Sequence, residues 1–245
     1  MKSILAILLM FVTLTGAAQV TVKTTKGESI EGSEATIEVG QLKLKIEGGS
    51  SRSFDRQVLK QVIMAEPQDL RNIRHLFYAG KYSDVIALKP KAADLKLMGW
   101  GKWAAYFIAR SHIAIGKADE GRKVLFEYES CVDGGNVAAG SLLIKLGLAE
   151  TNIAMGKTTD AETFLLNTTN KYDSSVRHFV SVARAHLYFA QGKFENAKLE
   201  HLKVALCDSQ DAEAQLSLRE VDGILKKLQD PRGGKPLPLS SSNND

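Results

Sequence analysis

The sequence predicts a mainly helical chain, a stack of about four helix–turn–helix repeats plus a capping helix, behind a small β module. Two observations carry this. A glycine–lysine pair recurs as Gly80-Lys81, Gly116-Lys117, Gly156-Lys157 and Gly192-Lys193, its glycines 36, 40 and 36 residues apart, and a fixed period of this length marks a stacked helical array. The apolar pattern also changes from a two-residue to a helical period at Glu66-Pro67, which separates a strand-forming segment from a helix-forming one.

Residues 1–18 read as an export signal: Lys2, an apolar run from Ile4 to Leu14, and Gly16-Ala17-Ala18 before Gln19. The run falls short of the about 20 residues that cross a bilayer. No later segment reads as long and apolar enough to do so, and the mature chain is expected to be periplasmic or secreted after cleavage near Ala18. Residues 19–66 form the β module. Leu42, Leu44 and Ile46 alternate with Lys43, Lys45 and Glu47, and Ile37 and Val39 with Thr36 and Glu38, the period of a half-buried strand. Lys26-Gly27 and Gly48-Gly49 supply turns. Val58, Leu59, Val62 and Ile63 close a unit of four or five strands, expected to curl into a small barrel.

The array spans 67–229. Asp69 is placed to cap the first helix. Apolar runs flank each glycine, which suits the tight turn because it reaches backbone angles costly to other residues. The final helix, about 210–229, carries Ala214, Leu218, Val221, Leu225 and Leu228 as one apolar stripe, as a helix covering the open end of an array would. The tail, 230–245, is rich in Gly, Pro and Ser and is expected to be disordered.

Small residues recur seven before and five after the turn glycines: Ala109, Ala149 and Ala185, then Gly121, Ala161 and Ala197, with Ile73 and Val85 departing in the first repeat. An aromatic stands two past the glycine at Tyr82 and Phe194, but Ala118 and Thr158 replace it in the middle repeats. In these positions residues 69–207 resemble tetratricopeptide repeats. The resemblance implies a tetratricopeptide-type α-solenoid. More weakly, the strand-rich segment resembles the Sm-like barrels found ahead of such repeats in some exported bacterial proteins.

The resemblance also implies a concave groove lined by the first helix of each repeat. Carried over, the groove positions are Pro67, Trp103, Leu143 and Phe179; Leu70, Tyr106, Leu146 and Val182; and Arg74, Arg110, Glu150 and His186. Leu146 and Val182 are better read as core between repeats. The partner-binding set is Arg74, Tyr78, Trp103, Tyr106, Arg110, Glu150, Phe179 and His186, with Trp103 and Tyr106 as anchors and Arg74 and Arg110, expected in the open groove, setting charge and orientation. The lysine–asparagine clamp of chaperone-tail-binding members is absent, Leu70 and Arg74 standing in its place.

Other motifs carry little. Gly156-Lys157-Thr158 lacks the earlier glycine and the preceding strand of a phosphate loop. His178 and His186 lie too far apart on one helix to chelate an ion, and no metal or cofactor is expected. Asn167-Thr168-Thr169 reads as a helix terminus. The formal charge of +4 is dispersed, which argues against nucleic acid. Cys131 and Cys207, equivalent sites two repeats apart, are expected as separate thiols. The expected function is a non-enzymatic scaffold or adaptor that captures a peptide or helix of a protein partner, with homo-oligomers as an open option. The alternative is binding of a polymer, polysaccharide before RNA, by the β module, where Phe54 is the only aromatic.

Overall fold

The computed structural model describes residues 19–167, 174–207 and 212–229. Residues 1–18, expected to be an export signal, and the tail 230–245, expected to be disordered, lie outside the described residues. The protein is mainly helical, with a small β region at its N-terminal side.

Six strands form the β module: β1 Val20–Thr24, β2 Ser29–Gly32, β3 Glu34–Glu38, β4 Gln41–Lys45, β5 Ser51–Phe54 and β6 Leu59–Ile63. They pair antiparallel as two three-stranded sheets, β2-β1-β6 and β3-β4-β5, so the curl expected of one barrel is divided between two sheets. Alternation buries Val20, Val22, Leu42, Leu44, Phe54 and Val62 in a shared core. Val58, expected in the closing strand, sits exposed in the short 3-10 turn before β6.

Among the described residues ten helices follow: α1 Gln68–Tyr78, α2 Tyr82–Ala87, α3 Lys89–Ala92, α4 Gly101–Ala114, α5 Ala118–Glu129, α6 Val137–Ala154, α7 Thr158–Asn167, α8 Ser174–Ala190, α9 Phe194–Cys207 and α10 Ala212–Gln229. Asp69 lies inside the first turn of α1 rather than capping it; Pro67 holds the cap position. There its carboxylate still faces the positive end of the helix.

The four repeat glycines do the work expected of them. Their φ angles are +74°, +76°, +76° and +73°. At Gly116 the glycine N–H bonds to the Ile113 carbonyl at 2.9 Å, and the Lys117 N–H to that of His112 at 2.8 Å. The same two bonds recur at the other three turns, and together they satisfy the carbonyls that a helix end leaves open. Gly121 shows why small residues recur: a Cβ there would lie 2.8 Å from the Ala109 carbonyl oxygen, so α4 and α5 approach backbone to backbone. Two of the long helices pack both on the next and on the next but one, α4 on α5 and α6, and α6 on α7 and α8.

Two expectations are corrected by α6 and α10. With 18 residues and mean hydropathy 1.2, α6 meets the bare length and apolarity needed to cross a bilayer, although 61% of it is buried inside the protein. Its place among α4, α5, α7 and α8 accounts for that apolarity. In α10 the buried stripe is Ala214, Ser217, Val221 and Ile224, while Leu218, Leu225 and Leu228 stay exposed. The helix has two apolar edges, and the one holding Ser217 and Glu213 turns inward, because polar partners wait there.

The β module is joined to the helices through a tight seam. Gly99, at φ +77°, lies so close to the Val62 carbonyl that an added Cβ would be 2.4 Å away. Gly134 meets the Gly99 carbonyl oxygen at the same separation. The Val62 N–H bonds to the Asp133 carbonyl at 2.8 Å, and Gln61 Nε2 donates to that of Gly134 at 2.6 Å. Leu97 and Val132, from the helical side, complete the β core. Cys131 is a free, buried thiol whose pKa burial pushes up to about 11. The side chain of Cys207 lies outside the described residues.

Candidate functional site

The structure divides the expected groove residues between two places. Tyr78, Tyr106, Arg110, Glu150, Phe179 and His186 come together on the inner faces of α1, α4, α6 and α8, but α10 lies over them. Arg74 and Trp103 belong to an open pocket at the seam with the β module.

Arg110 is the centre of the covered group and corrects the expectation of an open arginine, its side chain being only 7% exposed. Nη1 donates to Glu213 Oε1 of α10 at 3.0 Å, and Nε lies 3.8 Å from Glu150 Oε1. The guanidinium sits over the rings of Phe77, at 4.8 Å, and Tyr106, at 5.5 Å. Burial works against the charge, but Glu213, Tyr106 and Glu150 outweigh it and hold the pKa of Arg110 above its ordinary value. His186 Nδ1 lies 3.1 Å from Glu150 Oε1, and His201 Nδ1 3.4 Å from Ser217 Oγ. Burial first, then His186 and Arg110, depress His201 to about 3, so it is neutral at pH 7. Burial and Glu213 raise the Tyr78 phenol, and burial and Glu150 that of Tyr106.

Glu150 Oε2 and Tyr106 OH are buried without a hydrogen-bond partner among the described residues. Beside Glu150 is a cavity of about 30 Å³, bounded by Arg110, Glu150, His186, His201, Glu213 and Ser217. That volume is enough for water. The carboxylate–histidine pair of Glu150 and His186 borders it, with Glu213 and Ser217 of α10 on the same cavity.

The open pocket holds about 290 Å³. Trp100 and Trp103 form one wall, their ring centroids 6.0 Å apart and inclined at 56°. Arg74 Nη1 donates to both oxygens of Glu66 at 3.1 Å. Lys102 Nζ donates to Asp133 Oδ1 at 2.6 Å. Asn136 caps α6 by accepting from the Ala139 N–H at 3.0 Å. Aromatic contacts link the two regions: Trp103 meets Phe179 at 6.2 Å, and Phe179 meets Tyr106 at 5.1 Å.

Comparison with known families, characterised proteins and solved structures finds no match. Among the described residues, no three His, Cys, Asp or Glu side chains are grouped to hold a metal ion.

Sequence reasoning missed Glu213 and Ser217 of α10, and Glu66, Trp100, Lys102 and Asp133 of the pocket. Trp100, three residues before Trp103, carried a usable signal. Asp133 carried none, because only the seam brings its loop to α4.

Proposed function

We propose that the protein is a non-enzymatic interaction scaffold of the tetratricopeptide type, an α-solenoid whose inner groove receives a helix. The observation that carries this reading is α10 itself. It rests on the expected groove residues, placing Glu213 on Arg110 and Ser217 on His201. The groove thus fits an amphipathic helix with small residues on its inward edge and a carboxylate near its start. In the state described here α10 is that occupant, and a protein partner enters by taking its place. The sequence of residues 1–18 supports work outside the cytoplasm, in the envelope or secreted space.

Reversal of Arg110 to Glu is not a test, since it would bury a third carboxylate beside Glu150 and Glu213. Capture of envelope proteins should instead compare the wild type with Glu213→Gln, in the presence and absence of a synthetic 212–229 peptide. The reading expects stronger capture by the variant, and loss of the captured protein when the peptide is added. Equal capture that the peptide does not compete refutes the groove.

A further inference from the structure

We infer that the pocket at the seam of the β module and the helices binds a neutral carbohydrate, stacked on Trp100 and Trp103. This site is separate from the groove under α10.

Both indoles are half-buried and inclined to one another on one wall of a space of about 290 Å³. That is just under the range of about 300–1,000 Å³ for drug-sized ligands. An indole face is a broad apolar platform of negative potential. The C–H face of a pyranose ring is apolar and weakly positive, so the two are complementary. Apart from Met64 and the glycines, the remaining walls are polar but electrically balanced. Arg74 is neutralised by Glu66, and Lys102 by Asp133. A phosphate or acidic peptide would find each cation already paired and would have to displace a carboxylate. A purely apolar guest would strip water from four charged groups and return nothing. A guest with one apolar face and a rim of hydroxyls answers both halves, because each hydroxyl both donates and accepts. It donates to the carboxylate lone pairs of Glu66 and Asp133 that the cations leave open, and it accepts from Arg74 and Lys102. Glycines keep the opposite wall low. Gly134 and Gly135 present backbone to the pocket, and Gly140 lies so near Lys102 that an added Cβ would be 3.3 Å from its Cδ. A peptide anchored by an apolar side chain would also reach the indoles, but it leaves the paired charges without new partners.

The chain contains only two tryptophans, and both line this pocket, so tryptophan fluorescence, excited selectively over the tyrosines, reports on it. The experiment titrates the full chain with cellotetraose, chitotetraose and maltotetraose, and separately with polygalacturonate and a proline-rich peptide. A saturable change with at least one neutral tetrasaccharide is expected. Trp100→Ala should weaken it by at least about tenfold, as loss of a central aromatic anchor does. Glu66→Gln, which makes the pocket net positive, should weaken the neutral sugar and strengthen polygalacturonate. Because Trp103 also packs on Phe179, a variant there risks the fold; protection of the wild-type indoles from N-bromosuccinimide by bound sugar replaces it. No response to any neutral sugar, binding of the acidic polymer or the peptide alone, or unchanged affinity in Trp100→Ala overturns the inference.

Discussion

Replacing Arg110 by methionine removes one cation from between two buried carboxylates while keeping the unbranched apolar stem of the side chain. Glu150 and Glu213 are each only 1% exposed, so neither can turn to water. Breaking a buried pair in this way costs about 3–5 kcal/mol, and the lost stacking on Phe77 and Tyr106 adds to it. In a chain of this size about 1 kcal/mol moves the midpoint by roughly 2–4 °C, so a fall of about 6–20 °C is expected. Glu213→Gln should cost less, about 1.5 kcal/mol, because a charge-assisted bond becomes a neutral one and Arg110 retains Glu150. The double variant should cost less than the sum of the two by about 1 kcal/mol or more, since the partners share one interaction. Urea unfolding at pH 7, followed by far-ultraviolet circular dichroism, gives all three values. An Arg110→Met protein within about 1 kcal/mol of the wild type, or strict additivity, would refute the claim that this cluster fastens α10.

Two further outcomes follow from the backbone and from His201. Gly116→Ala and Gly99→Ala place the same side chain at φ +76° and +77°. The first meets open space and should cost about 1–2 kcal/mol, whereas the second strikes the Val62 carbonyl and should cost clearly more, by thermal denaturation; equal costs would contradict the seam. His201, at about 3 in the folded protein against 6.5 ordinarily, binds fewer protons folded than unfolded, so its share of stability is present above about pH 6.5 and is lost as pH falls toward 3. Its slope is roughly 1.4 kcal/mol per pH unit. Between pH 6.5 and 5 the wild type should therefore lose about 2 kcal/mol more than His201→Gln, and parallel curves would show that His201 is not held neutral.

What could be read from the sequence was local. Each Gly-Lys pair is a helix end, because glycine at positive φ and the following N–H close the turn within six residues. Ala109 and Gly121 are small because their helices touch, and that follows from spacing along adjacent helices. The alternation in β4 placed Leu42 and Leu44 in the core correctly. Arg110 could not be placed in the same way, since its partner Glu213 is 103 residues further along the chain. An arginine reads as exposed until something distant neutralises it. The α10 stripe failed for a related reason: Leu218 and Leu225 are the more apolar edge, but Ser217 finds His201 and Glu213 finds Arg110, and those bonds decide which way the helix turns. The seam pocket needed three separate segments to converge, and only the glycines at 99 and 134 hinted at so close an approach.

The latch formed by α10 also orders events in time. Most helix contacts join neighbours in the chain, so helix pairs can form as they are made. Arg110 reaching Glu213, and Arg219 reaching the Tyr78 carbonyl 141 residues back, are different. A ribosome delivers Arg110 and Glu150 long before it delivers Glu213, and until then their charges stay hydrated on an open apolar face. Docking of α10 is thus a test that the chain has been made at least through residue 229. A chain clipped before residue 212 keeps that face exposed, which is the surface that proteases and chaperones recognise. The presence of residues 212–229 is in this way written into the stability of the first helices.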